Sequence, residues 1–374
     1  MKVLTVLGTR PEIIKLSRVI AELDARLDHV VAHTGQNHDY ELNEIFFQQL
    51  DLRKPDHFLQ AAADRPAQTV ANVIARSDEL IEQVQPDALL VLGDTNSCLA
   101  AYAAKRRQVP IFHMEAGNRS FDQRVPEEIN RKIIDHISDI NLVYTEHARR
   151  YLLAEGIRGE TIIKTGSPMK EVLAHYKPGI DASDVLDRLG LQAGRYFVVS
   201  AHREENVDRP RRLAALLDCL NALAGAHDLP LIVSTHPRTR RRLGESAAAQ
   251  VDPRVRFLKP LGFFDYVRLQ QHALCVISDS GTITEESSLL GFPAVTIRQA
   301  HERPEGMDEA TVLMADLHPQ RVEDAVKLAI EHAGGRVDIR PVQDYQPANV
   351  SAKVVRIIVS YVDYVNRTVW RKDI

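Results

Sequence analysis

Cysteine is scarce in this chain, with only Cys98, Cys219 and Cys275 among 374 residues. So few and so scattered, they exclude a disulfide framework or a cysteine zinc site, and they read as thiols packed like small apolar side chains in a reducing compartment. No apolar run is long enough to span a bilayer. The opening apolar stretch is too short, and meets charged residues too soon, for a secretory signal peptide. A net charge of −4 supplies no basic face for nucleic acid. Neither a Walker phosphate loop nor a G-x-G-x-x-G run occurs. His33, His38, His113, His136 and His147 are scattered, and no histidine lies near a cysteine pair, so no metal site is read. These absences leave a cytoplasmic α/β enzyme working without membrane, nucleic acid, metal or bound cofactor.

What is present is a βαβ rhythm. Lys2–Leu7, His29–Thr34, Ala88–Leu92, Ile111–Met114 and Leu142–Tyr144 read as strands, with a short one near Thr161–Thr165. Ile13–Leu27, Thr69–Gln85 and Asn96–Arg107 carry apolar residues at helical spacing between them. A second strand series begins after Lys177-Pro178-Gly179: Tyr196–Ser200, Leu231–Ser234, Val255–Leu258, Cys275–Ser278 and Ala294–Ile297. The length suits two domains. The expected division is 1–170, 171–350 and an amphipathic helix in 351–374 that packs back on the first domain, with the hinge between Gly166 and Leu191.

Ligands of open α/β sheets sit beyond the carboxyl ends of the strands, and here those ends are crowded with polar groups. The first strand breaks at Gly8-Thr9-Arg10-Pro11-Glu12 into a helix carrying Lys15. Such a turn presents backbone N–H groups to an anion, and Arg10 and Lys15 add two cations. Later ends carry Gly93-Asp94-Thr95-Asn96, Glu115-Ala116-Gly117-Asn118-Arg119, His202-Arg203-Glu204-Glu205-Asn206 and Thr235-His236-Pro237-Arg238. Asp279-Ser280-Gly281-Thr282, with Glu285-Glu286 in the following helix, repeats the anion-site device, and Pro126-Glu127-Glu128-Ile129-Asn130-Arg131 opens a further helix. Each has a plain structural reading: Asp94-Thr95-Asn96 as a helix cap, Glu127-Glu128 as acids suited to a first turn, His202 and His236 as surface histidines. Their coincidence on one edge favours a phosphorylated ligand held between two domains.

Together these blocks resemble the non-hydrolysing UDP-N-acetylglucosamine 2-epimerase family. The match continues through His113-Met114-Glu115-Ala116-Gly117, Thr165-Gly166 and Glu302-Arg303-Pro304-Glu305, in family order from residue 8 to residue 305. Within the family, His33–Asn43, Gly117–Val125, Ser200–Asn206 and Lys259–Phe263 look most like the bacterial UDP-N-acetyl-L-fucosamine synthases, which serve capsule and O-antigen precursors. The common UDP-GlcNAc enzymes differ at Thr34–Glu41, which puts their allosteric UDP-GlcNAc site in doubt here. The resemblance implies two Rossmann-like domains with parallel sheets in a glycosyltransferase-B-like arrangement, an active site in the interdomain cleft, and no nicotinamide or metal. It also implies a homodimer and a UDP-N-acetylhexosamine substrate.

The C2 hydrogen of such a sugar is not beside a carbonyl, so direct proton abstraction is too costly. Oxidation of a neighbouring hydroxyl would need the missing dinucleotide fingerprint. The remaining route expels UDP from C1 as the C2 proton leaves, forming a 2-acetamidoglycal, and adds UDP back with protonation from the other face. By resemblance, Asp94, Glu115 and Glu127 are the acid–base candidates, and His202 assists the leaving phosphate. Arg10, Ser280 and Gly281 would hold the diphosphate and Glu286 the ribose, while Lys15 and Arg131 orient the carboxylates or touch the sugar phosphate. Two alternatives stay open: a UDP-GlcNAc 2-epimerase making UDP-ManNAc, and a UDP-sugar glycosyltransferase of the same fold.

Overall fold

A computed structural model describes residues 1–35, 40–235, 251–300, 302–333 and 339–373, with backbone only at 40–43, 204 and 205. They gather into two units: Met1–His175 with Asp344–Ile374, and Tyr176–Gln343. The first is built on β1 (Lys2–Leu7), β2 (Asp28–His33), β3 (His57–Phe58), β4 (Ala88–Leu92), β5 (Ile111–Ala116), β6 (Ile140–Val143) and β7 (Ile162–Lys164). These pair in parallel in the order β3-β2-β1-β4-β5-β6-β7. The second unit contains β8 (Phe197–Ser200), β9 (Leu231–Ser234), β10 (Val255–Leu258), β11 (Cys275–Ser278), β12 (Ala294–Thr296) and β13 (Leu313–Met314). Their order, β10-β9-β8-β11-β12-β13, is again parallel throughout. Both sheets are doubly wound, and the direction of winding reverses between β1 and β4 and between β8 and β11. A crevice opens beyond the strand ends at such a reversal.

The strands read as unbroken apolar runs because helices bury both faces of each sheet. In the second unit Phe197, Val199, Leu231, Val233 and Ile277 face one core, shared with Leu213, Leu217 and Leu220 of the helix Pro210–His227. Val198, Ile232 and Val276, the alternate residues, face another core with Leu269 and Ile283. The three cysteines are buried free thiols, Cys98 in the core of the first unit and Cys219 and Cys275 in that of the second. No helix among the described residues is long and apolar enough to cross a membrane.

Two features differ from the sequence reading. β3 and β13 are two-residue edge strands, too short to leave an apolar run. Asn96–Arg107 divides into a 3-10 turn, Asn96–Leu99, and an α-helix, Ala100–Arg106. Lys177-Pro178-Gly179, the marker after which the second strand series begins, lies inside the helix Met169–Asp181. Proline there removes one backbone bond, and Val172, Leu173, Tyr176 and Ile180, all buried at helical spacing, hold the helix together around it.

The tail helix, Val350–Thr368, belongs to the first unit and packs on the helix Arg10–Arg26. Its buried stripe is Val350, Val354, Ile358, Val362 and Val365. Truncating fully buried Ile358 to alanine is expected to cost about 2–4 kcal/mol in urea unfolding. The same truncation at exposed Val359 should change stability by less than about 0.5 kcal/mol.

Candidate active site

At the end of β1 the backbone must pass between two neighbouring strand ends. A Cβ on Gly8 would stand 2.0 Å from Thr34 Oγ1 and 2.4 Å from Ser97 Oγ, so glycine is required for the approach. Those two hydroxyls are hydrogen-bonded at 2.9 Å, tying the ends of β2 and β4 together beneath it. Glu12 then folds back from the first turn of the helix Arg10–Arg26. It accepts the Gly8 N–H at 3.1 Å and the hydroxyls of Thr9 and Thr95 at 2.7 and 3.1 Å. Complete burial outweighs these bonds and pushes its carboxyl up to about 7. Arg10 is half-buried, with its guanidinium 5.8 Å from the centre of the Phe46 ring.

Lys15, further along that helix and buried, donates to Glu115 Oε2 at 2.6 Å and lies 5.6 Å from the Tyr144 ring centre. Glu115 occupies a bulge in β5, where the register against β6 shifts between Met114 and Ala116. Its φ of 61° is left-handed, a strained conformation outside glycine that turns the side chain away from the regular pleat. Asp94 follows Gly93 at the end of β4, the strand beside β5. Arg131 grips Asp94 Oδ2 with Nε at 2.7 Å and Nη2 at 2.6 Å, and its Nη1 donates to Glu128 at 2.9 Å. Asn130 Nδ2 donates to the Asp94 carbonyl at 2.9 Å. The fold therefore brings Lys15, Asp94, Glu115 and Arg131 to two adjacent strand ends.

The acids at the start of the helix Pro126–Ile137 part company. Glu128 is wholly buried and accepts the N–H groups of Ser120 and Phe121 at 3.0 and 3.2 Å, whereas Glu127 is half-buried in the first turn. At β4 the capping role falls to Thr95, whose hydroxyl accepts the Ser97 N–H, while Asp94 is held by Arg131.

In the second unit, Asp279 joins the ends of β8 and β11. Wholly buried, it accepts the N–H of His202 at 3.1 Å from each oxygen, the N–H of Arg203 at 3.0 Å and Asn206 Nδ2 at 3.1 Å. His202 Nδ1 stands 3.3 Å from Asp279 Oδ1, and the imidazole is partly exposed. Ser280 gives its N–H to Ser278 Oγ at 3.0 Å, and its hydroxyl lies 3.0 Å from that of Thr282. A Cβ on Gly281 would lie 3.4 Å from Glu302 Oε2 and 3.6 Å from Arg298 Nη1. Glu302 pairs with Arg298 at 2.7 Å, and Glu285 with Arg303 at 2.8 Å. Glu286, half-buried, accepts Gln270 Nε2 at 2.6 Å.

His236, Arg238 and Gln36–Asp39 lie outside the described residues. Among the described residues no three His, Cys, Asp or Glu side chains gather as a metal site. His29 and His33 stand four apart on β2, and His29 pairs with Asp24. Sequence reasoning quoted Glu12 and Asp279 inside motifs without giving them roles, and it passed over Asp135 entirely. The available signal was an acid in a turn leaving a strand, as at Gly8-Thr9-Arg10-Pro11-Glu12 and Asp279-Ser280-Gly281; Asp135, within a helix, left none.

Two doubly wound parallel sheets are the two Rossmann-like domains of the glycosyltransferase-B-like class. Residues 21–359 match the family described as UDP-N-acetylglucosamine 2-epimerase. The UDP-N-acetylglucosamine 2-epimerase of Rickettsia bellii shares 52% identity over 100% of both chains, with a TM-score of 0.91. The Methanocaldococcus jannaschii UDP-GlcNAc 2-epimerase, solved with UDP-GlcNAc and UDP, shares 29% identity over 96% of this chain and 100% of its own, with a TM-score of 0.89. The Pseudomonas aeruginosa UDP-2,3-diacetamido-2,3-dideoxy-D-glucuronate 2-epimerase is 36% identical over 81% of this chain and 84% of its own. The chain belongs to the UDP-N-acetylglucosamine 2-epimerase family and is an isomerase of the UDP-sugar 2-epimerase type.

The raised Glu12 carboxyl has a consequence for stability. Between its unfolded value of 4.5 and about 7, the folded chain keeps a proton that the unfolded chain releases. Its contribution therefore weakens as pH rises through that window and is constant above it. Urea unfolding at pH 4.5 and pH 8 is expected to show the parent losing about 2–3 kcal/mol relative to Glu12→Gln.

Proposed function

We propose that this chain inverts C2 of a UDP-N-acetylhexosamine by eliminating and re-adding UDP. The observation that carries the reading is the pair of carboxylates at adjacent strand ends, Asp94 with Arg131 and Glu115 with Lys15. One carboxylate takes the C2 proton, the C2–H electron pair forms the C1=C2 bond, and the C1–O bond breaks toward the diphosphate. UDP oxygen then returns to C1 while an acid on the opposite face protonates C2. Asp94, Glu115 and Glu127 supply these groups. Lys15 and Arg131 orient two of them. His202, Arg10, the Ser280 hydroxyl and Gly281 meet the diphosphate, and Glu286 meets the ribose. UDP bound to the Methanocaldococcus relative supports the ligand class.

The favoured product is UDP-N-acetyl-L-fucosamine for capsule or O-antigen, made by a homodimer in the cytoplasm. It rests on the blocks His33–Asn43 and Gly117–Val125. The Pseudomonas relative, named for a different sugar, supports variation of the hexosamine on this scaffold. The 52% identity to the Rickettsia protein favours a second reading, UDP-GlcNAc to UDP-ManNAc.

In deuterium oxide, NMR should show solvent deuterium at C2 of the product without added NAD; retention of the original hydrogen would sink the mechanism. Asp94→Asn, Glu115→Gln and Glu127→Gln should each lower kcat by roughly a hundredfold or more. Comparing kcat/KM on one preparation, a UDP-N-acetyl-6-deoxy-L-hexosamine should exceed UDP-GlcNAc, and the reverse order would select the second reading.

A further inference from the structure

The turn that carries Asp94 and the bulge that carries Glu115 converge on one buried pair that the acid–base reading does not use. His113 lies on β5, two residues before Glu115, and is buried. Its Nε2 is 2.7 Å from the Gly93 carbonyl oxygen. A carbonyl only accepts, so Nε2 carries a hydrogen. Gly93, with φ of 77°, immediately precedes Asp94. The other ring nitrogen, Nδ1, stands 3.0 Å from Asp135 Oδ1, so the ring is wedged between the Gly93 carbonyl and the Asp135 carboxylate.

Asp135, from the helix Pro126–Ile137, binds the opposite side of the Glu115 bulge. Its two oxygens each accept the Gly117 N–H at 3.2 Å, and Oδ2 also accepts Arg119 Nη1 at 2.6 Å. Burial raises the Asp135 carboxyl, but His113 and Arg119 outweigh it and hold the group below its ordinary range. Gly117 has φ of 83°, and a Cβ there would lie 2.6 Å from the Ala148 carbonyl oxygen. Arg119 extends the array to Glu155 at 2.6 Å. Three left-handed residues, Gly93, Glu115 and Gly117, are thus gathered around one imidazole–carboxylate pair.

We propose that His113 and Asp135 are a positioning unit for the epimerase reaction, locking the turn of Asp94 against the bulge of Glu115. The proposal rests on the reading of those two carboxylates as acid–base groups. Proton transfer at C2 requires both to sit correctly about one carbon, and a misplacement of about 1 Å can cost about a hundredfold in rate. Lys15 and Arg131 fix the carboxylate ends, while His113 and Asp135 fix the backbone from which the carboxylates project.

Two isosteric substitutions separate the halves of the unit. His113→Asn puts an amide near the Nδ1 position and keeps a partner for Asp135, but it loses the donor to Gly93. His113→Gln reaches the Nε2 position and does the opposite. Each should lower kcat roughly 10–100-fold, while KM and the Kd for UDP stay within about threefold. In an Asp94→Asn background, adding His113→Asn should cost less than about threefold more, because the carboxylate that it positions is already gone. Parental kcat in both single variants would overturn the proposal, as would a full, additive loss in the Asp94→Asn background. Failure of both variants to give folded protein would assign the pair to the fold and also overturn it. Near-normal rates for Asp94→Asn and Glu115→Gln alone would instead strike down the acid–base reading.

Discussion

A carboxylate removed from water needs a cation or several donors, and this chain places many carboxylates along one sheet edge. The Lys15–Glu115 contact at 2.6 Å is the interaction on which that edge depends. It joins the helix after β1 to the bulge of β5, two strands over from β1, so both are fixed by the same charge pair. Arg131 does the same for Asp94 and Glu128, and Arg119 for Asp135 and Glu155. Among the described residues Glu12 is held instead by neutral donors, the Gly8 N–H and two threonine hydroxyls, and burial pushes its carboxyl up to about 7.

The two units solve a similar problem with different chemistry. In the second, the carboxylate at the crevice, Asp279, is satisfied chiefly by backbone N–H groups and an amide, and it fixes the loop that carries His202. The His202 imidazole is left partly exposed beside that buried carboxylate. The first unit instead holds Asp94, Glu115, Glu128 and Asp135 with guanidinium and ammonium groups. The same switch in strand order thus carries charge-paired acids in one unit and an amide-held carboxylate in the other.

The regular elements were legible because parallel strands buried on both faces leave uninterrupted apolar runs. β1, β4, β9, β10 and β11 fall where those runs fall. β3 and β13 left none, and Pro178 marked a break that the packing of Val172, Tyr176 and Ile180 removes. The candidate residues were legible as a set, because polar side chains at successive strand ends share an edge whatever the details of packing. Their partners were not. That Arg131 holds Asp94, that Glu128 turns inward while Glu127 does not, and that Ser280 gives its N–H to Ser278 all depend on helix rotation and turn geometry.

The sequence by itself determined the alternation of strand and helix, the edge on which the chemistry gathers, and the family to which the blocks belong. These follow from local patterning, which acts over a few residues at a time. Only the tertiary structure decided which acid meets which base, that Glu115 is held at a left-handed bulge, and that His113 and Asp135 join the turns on either side of it. The reason is distance along the chain. Lys15 and Glu115 are 100 residues apart and Arg131 and Asp94 are 37, so their pairing exists only once the sheet has set its strand order.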